Sequence, residues 1–203
     1  IRFYFIKSFN YYVHMFAFKK KYFLIIFNFE DINLDKIRIN EKIIIVYRNL
    51  NYPEKMSELI RFRNKCRLKR IKFYVANDKR LCLLLKSDGI YISSYNKDFK
   101  AQLLKKLKMD IIGSAHDIFE INLKMKQGCK NIIVSKIFKV DYDLKSNSYG
   151  VIKFNYLLKF NKHLIPLGGI KYSNLNSLKN VASLGFAILS EVKKKPAIAN
   201  RLF

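Results

Sequence analysis

The chain has 203 residues, 50% of them apolar, and carries 40 Lys and Arg against 15 Asp and Glu, a formal net charge of +25. That length suits one domain with one large core. The odd number and wide spacing of Cys66, Cys82 and Cys129 exclude a disulfide framework and a metal knuckle, and point to a reduced, cytoplasmic protein.

The first residues, Ile1 to His14, are aromatic and basic and precede Met15, a plausible start. Residues 1–14 are therefore expected to lie upstream of the natural protein. A targeting peptide is the other reading, but the stretch lacks an uninterrupted apolar core and a small-residue cleavage site. Residues 1–21 are taken as an N-terminal extension and residues 22–203 as the folded unit. The longest nearly apolar run, Tyr22 to Phe29, is too short to span a bilayer, so no membrane partner is expected.

From Tyr22 onward, short β-type runs alternate with longer segments of helical period, the pattern of parallel βα units. The predicted strands are 22–27, 43–47, 73–76, 89–92, 110–113, 131–135, 164–167 and 185–188. After the first comes a short segment, 29–37, and after the second a helix over 53–67 that starts on Pro53 and shows Met56, Leu59, Ile60 and Arg63 at helical spacing. Phe99, Leu103, Leu104 and Leu107 form an apolar stripe after the fourth strand. Asp117 to Glu120 reads as a capping box, with Ile118, Ile121 and Met125 on one face of the helix 117–126. A helix-like segment, 175–181, separates the last two strands. Eight such units predict a single (β/α)8 TIM barrel with its site at the C-terminal strand ends.

The basic clusters, densest over Arg61–Arg70, Lys19–Lys21 and Lys193–Lys195, belong to no nucleic-acid-binding motif. They read as solvated faces and codon bias, with weak polyanion affinity at low salt and no specific nucleic-acid partner.

At the predicted strand ends stand Arg48 and Asn49, Asn77 and Asp78, Ser93 to Asn96, Ser114 to His116, Lys136, Gly168 to Ile170, and Leu189 with Ser190. With 7 glycines in the chain, the pair Gly168-Gly169 and the run Gly185 to Ser190 form a candidate phosphate cup, since glycine lets backbone N–H groups approach an anion. A plain tight turn and a helix cap at Ser190 fit the same residues. Arg48 and Lys136 suit phosphate oxygens, and Asp78 beside Asn77 suits Mg²⁺. Each has an ordinary alternative: Asp78 as a helix cap, Arg48 paired with a surface acid, His116 as a structural hydrogen-bonder. Ser114 and His116 lack a nucleophile elbow and an acid partner, which sets hydrolase chemistry aside.

Ile112-Gly-Ser-Ala-His116, Gly128 to Phe138, the Leu167-Gly-Gly-Ile170 turn and Gly185 to Ser190 resemble the thiamine phosphate synthase and thiazole tautomerase superfamily, and Asn77-Asp78 and Asp88 to Ile92 fit its order. The resemblance covers roughly 22–192. It implies a (β/α)8 barrel that, in the synthase branch, joins a hydroxymethylpyrimidine diphosphate to a thiazole phosphate with Mg²⁺ and releases diphosphate. By position, Arg48 then meets the diphosphate and Asp78 holds the metal. Ser114, Asn77 and Lys136 fall on the diphosphate and pyrimidine side. Gly168, Gly169, Leu189 and Ser190 hold the thiazole phosphate.

Departures from the family pattern are concentrated on the diphosphate side. Val46 and Leu50 stand where a glutamine and a lysine are expected, and Asn96 replaces the second metal carboxylate. Lys139 to Lys145 replaces a proline-threonine run, so Lys145 serves only if its loop shifts. Two rival readings remain. One is a tautomerase-type enzyme in which His116 moves a proton without metal; the other is a catalytically silent or RNA-binding barrel. Oligomeric state is not legible in the sequence.

Overall fold

The computed structural model describes residues 20–37, 41–49, 55–140 and 147–189. Residues 1–19, Pro53, Lys145 and Ser190, to which roles were assigned above, lie outside the described residues.

Eight parallel strands close into a barrel in chain order: β1 (Lys21–Ile26), β2 (Ile43–Tyr47), β3 (Lys72–Ala76), β4 (Gly89–Ile92), β5 (Asp110–Ala115), β6 (Asn131–Ser135), β7 (Leu164–Leu167) and β8 (Gly185–Ile188). β1 closes the ring on β8, with Tyr22 opposite Phe186. This is the (β/α)8 barrel expected from the alternation. The strands are buried on both faces, which is why they read as continuous apolar runs such as Ile43 to Tyr47.

Alternate residues nevertheless divide the core in two. Phe23, Ile25, Ile44, Val46, Tyr74, Tyr91, Ile112, Ile133, Ile165 and Ala187 fill the barrel interior. Their neighbours in sequence, among them Leu24, Ile45, Phe73, Ile90, Ile111 and Val134, pack outward against the helical layer. Each fully buried isoleucine contributes about 2 kcal/mol of transfer free energy.

The helical layer departs from a regular helix ring. The segments after β1 are two 3-10 turns, Phe29–Asp31 and Leu34–Lys36, and those after β4 and β7 are 3-10 segments, Lys100–Leu107 and Tyr172–Asn180. Three-residue periodicity buries Ala101 and Leu104, so of the apolar stripe expected there Leu104 packs while Phe99, Leu103 and Leu107 stay exposed.

The α-helices are α1 (Met56–Leu68), α2 (Lys79–Leu84), α3 (Ile118–Lys126) and α4 (Gly150–Phe160). α1 buries Leu59, Phe62, Arg63 and Cys66, but Met56 and Ile60 are exposed. Leu59 and Arg63 of the expected face are thus buried, and Phe62 and Cys66 complete it in place of Met56 and Ile60. Arg63 Nη2 lies 3.2 Å from Asp88 Oδ2 and donates to Lys86 O, and its guanidinium lies over the Phe73 ring.

α3 holds the largest departure. Asp117 caps it by accepting from Glu120 N at 2.8 Å, as expected. Yet Ile118 and Met125 are exposed, and the buried residues are Ile121 and Lys124. Lys124 passes over Gly113, where even a Cβ would lie 2.9 Å from the lysine side chain and 2.8 Å from Cys129 Sγ. Its three ammonium hydrogens meet three acceptors, Ser93 O, Asn96 O and Gln127 Oε1. Burial lowers the Lys124 amine from its ordinary range, with Cys129 and Glu120 opposing.

Candidate functional site

The interior layer formed by Val46, Tyr91, Ile112, Ile133, Ile165 and Ala187 ends the apolar plug of the barrel. Two residues further along the strands, the same inward direction is taken by Arg48, Ser114, Ser135, Leu167 and Leu189. Together with Tyr91, Ser94, His116, Lys136, Gly168 and Gly169 they line one cavity of about 230 Å³. Nine of the residues placed at the strand ends from sequence therefore converge: Arg48, Ser94, Ser114, His116, Lys136, Gly168, Gly169, Ile170 and Leu189. Ser114 lies within β5 rather than beyond it.

The glycine turn is built by two constraints. Gly168 and Gly169 have φ of +96° and +66°, in the left-handed region that side chains disfavour. A Cβ on Gly169 would also lie 2.5 Å from Phe138 O. Phe138 N donates to Gly168 O, and Asn174 Nδ2 donates to Gly169 O. The carbonyls are thus tied back. No described backbone acceptor takes the N–H of Gly168, Gly169 or Ile170.

Arg48 faces this turn across the cavity. Its Nε is buried without a hydrogen-bond partner, and no described carboxylate pairs with it. The surface ion pair that was the ordinary reading of Arg48 is therefore not formed among the described residues. The cavity lining contains no Asp or Glu. A buried guanidinium lacking an acid, beside unanswered N–H groups, favours an anionic guest.

Tyr91 forms part of the floor. Burial pushes its phenol up, while a hydrogen bond with Ser114 and the charge of Arg48 oppose the shift. Tyr91 and Ser135 were missed from sequence, although their inward register follows from strand alternation. At the rim, His116 Nδ1 lies 3.0 Å from Glu120 Oε2, the same oxygen that accepts from His116 N at 2.7 Å. A carboxylate only accepts, so Nδ1 carries the hydrogen. Glu120 thereby orients the imidazole, and the reciprocal half of the expected capping box is replaced by this contact. Cysteine chemistry is disfavoured: burial pushes the Cys66 and Cys129 thiols up to about 12 and raises Cys82 as well.

Asn77 and Asp78 line a second, more open depression of about 560 Å³ that shares Arg48 and adds Lys79, Arg80 and Tyr95. Asp78 Oδ1 accepts from Leu81 N at 2.9 Å, the helix cap that was its ordinary reading. Asn77 Oδ1 accepts from Ser93 N and from Asn96 Nδ2, while Asn96 Oδ1 accepts from Asp98 N. No cluster of three His, Cys, Asp or Glu able to hold a metal occurs among the described residues. A hard cation needs anionic oxygens that are free to turn to it. Asp78 is the one carboxylate lining this depression and has an oxygen committed to the helix cap, so the residues present supply fewer anionic oxygens than the two carboxylates that the family resemblance implies for Mg²⁺.

No family model matches the sequence. The chain is 30% identical to a thiamine-phosphate synthase of Prochlorococcus marinus subsp. pastoris over 148 residues, 71% of this chain and 42% of that protein. It spans roughly two fifths of the length of the curated relatives it matches, 42% and 35% of the two. Among solved structures, a thiamine phosphate pyrophosphorylase from Pyrococcus furiosus superposes with a TM-score of 0.72 at 16% identity, covering 93% of this chain and 95% of that one. A 3-keto-L-gulonate-6-phosphate decarboxylase from Vibrio cholerae shares the fold with a TM-score of 0.62 at 12% identity, over 91% and 97% of the two chains. The fold alone is thus compatible with several chemistries. No helix among the described residues is long and apolar enough to cross a membrane. Sequence and fold together relate this chain to the thiamine-phosphate synthases, in the superfamily that includes the thiazole tautomerases.

Proposed function

We propose that this chain acts in thiamine biosynthesis as a thiamine phosphate synthase-like protein, joining a hydroxymethylpyrimidine diphosphate to a thiazole phosphate and releasing diphosphate. The observation that carries this reading is Arg48, buried at Nε without an acid partner and facing the Gly168-Gly169 turn in one cavity. The N–H groups of the turn, with Leu189 and the adjoining Ser190, take the thiazole phosphate. Arg48, Ser114 and Lys136 take the side on which diphosphate leaves, and Asn77 borders it.

In this reaction the pyrimidine-methylene carbon loses its bond to the diphosphate oxygen, which keeps the electron pair, while the thiazole nitrogen forms the new bond to that carbon. Little acid–base help is needed when the leaving group is good. Cations and N–H donors aimed at the departing oxygens lower the barrier instead. The apolar wall of Leu167, Ile170, Ala187 and Ile188 excludes water from the reacting centre.

The His116–Glu120 contact favours one second reading, a tautomerase-type proton transfer on a phosphorylated thiazole. The decisive experiment incubates the purified protein with both substrates, with and without Mg²⁺, and follows thiamine phosphate by mass spectrometry. Product formation is expected, with a modest loss in His116→Asn. Absence of product together with thiazole-phosphate isomerisation that disappears in His116→Asn would overturn the synthase reading in favour of the second.

A further inference from the structure

The loop after β4 is held from two sides by hydrogen bonds that engage the side-chain oxygens of Asn77 and Asn96. On the cavity side, Asn77 Nδ2 donates to Ser93 Oγ at 2.8 Å and Tyr95 Oη at 3.0 Å, and Asn96 Nδ2 donates to Asn77 Oδ1 at 3.1 Å. Behind the loop, Lys124 Nζ donates to Ser93 O at 2.8 Å and Asn96 O at 2.6 Å, and Gln127 Nε2 donates to Asn96 O at 3.1 Å and Asp98 O at 2.8 Å. Asn96 is therefore fixed through both its side chain and its carbonyl. The amide oxygen of Asn77 already has two donors, and that of Asn96 is taken by Asp98 N. Turning either toward a metal would orphan a backbone N–H group, Ser93 N or Asp98 N.

Next to this clasp the charge balance is positive. Arg48, Lys79 and Arg80 line the open depression with Asp78, whose Oδ1 is occupied as a helix cap. Lys79 pairs with Asp98 at 3.2 Å, but both side chains are more than a third exposed, so solvent screens that pair. Arg48 has no acid partner among the described residues.

We infer that this subsite binds a diphosphate group without a divalent cation, the Asn77–Asn96 clasp closing the metal position and Arg48, Lys79 and Arg80 supplying the positive charge in its place. The inference rests on the proposed function for the kind of anion received. Guanidinium and ammonium groups neutralise phosphate oxygens directly and need no deprotonated ligand to hold them. Lys124 is a positioning residue: it touches no ligand and acts by fixing the loop that carries Asn96.

The test is calorimetric titration of the full chain with inorganic pyrophosphate, once in EDTA and once in excess MgCl2, together with MgCl2 alone. Saturable binding in EDTA and no heat from MgCl2 alone are expected. Replacing Lys79 and Arg80, both on the surface side of α2, with Ser should weaken binding in EDTA by about tenfold while the melting temperature is retained. Binding that requires Mg²⁺, or a double variant that binds as tightly as the parent, would overturn the inference. So would the absence of pyrophosphate binding under either condition. Formation of thiamine phosphate by the same preparation would leave the proposed function standing in each of those cases, whereas its absence would count against the proposed function itself.

Discussion

At the N-terminal end of the strands, charged groups answer one another. Asp110 receives Tyr74 Oη at 2.8 Å and Lys72 Nζ at 3.0 Å, with Lys130 at 3.7 Å, and Asp88 receives Arg63 at 3.2 Å and Phe73 N at 2.8 Å. At the C-terminal end, Arg48 has a buried Nε without a partner, and the cavity around it holds no carboxylate. Both ends belong to the same eight strands, so the sheet itself does not explain the contrast. At both ends one buried arginine Nε lacks a hydrogen-bond partner, Arg63 and Arg48, but Arg63 pairs with Asp88 through Nη2, whereas no described carboxylate pairs with Arg48. The guanidinium with an acid partner belongs to the packing of the barrel, and the one without is the group to which the proposed function gives an anion.

Three variants sharpen or break that contrast. The largest effect is expected for Arg63→Ala, which strands Asp88 next to the core. About 3 kcal/mol of stability should be lost, toward the low end for a broken buried pair because Asp88 is partly exposed. Chemical denaturation measures this loss, and thiazole-phosphate affinity should stay unchanged in the folded fraction.

Arg48→Ala should behave in the opposite way. Pyrophosphate binding should weaken by about 2 kcal/mol, roughly 30-fold, for the loss of a charge-assisted contact. Thermal stability should not fall, since no described ion pair is broken. A variant that unfolds more easily yet binds normally would assign Arg48 to structure.

The smallest effect concerns acid stability. Burial alone would raise the Asp110 carboxyl, but hydrogen bonds from Lys72 and Tyr74 and the charges of Lys72 and Lys130 prevail and hold it below its ordinary value. Its folded pKa is therefore the lower one, so its stabilisation is present above the unfolded value and fades as pH falls through the folded value. Asp110→Asn should lack that part of the acid dependence, a difference that develops as pH falls through and below the ordinary carboxylate range. Equal acid slopes in denaturant titrations of the two proteins would show that the hub contributes nothing.

Strands were legible because burial on both faces leaves an uninterrupted apolar signature, and β2, β4, β6, β7 and β8 begin and end at the residues expected from sequence. Helical faces were harder. Phe99 and Leu103 have the spacing of an α-helix, but the chain there winds as a 3-10 segment and buries Ala101 and Leu104. On α1, Leu59 and Arg63 are buried as their spacing implies, Arg63 on an ion pair with Asp88 that is distant in sequence, while Met56 and Ile60 gave way to Phe62 and Cys66. Residues of the candidate site were found where they directly follow a strand, as with Arg48, Lys136 and Gly168. Tyr91 and Ser135, inside strands, were recoverable only by following the alternation.

The order of apolar runs and turns, by itself, determined an eight-stranded parallel barrel and the end at which its polar residues gather, because strand period and chain order are local properties. Only the tertiary structure decided that Lys124 is buried, that Glu120 holds His116, and that Asn77 closes on Asn96. Each of those outcomes depends on which donor meets which acceptor across the loops. A pairing between residues 19 positions apart, as in Asn77 and Asn96, has no period to announce it.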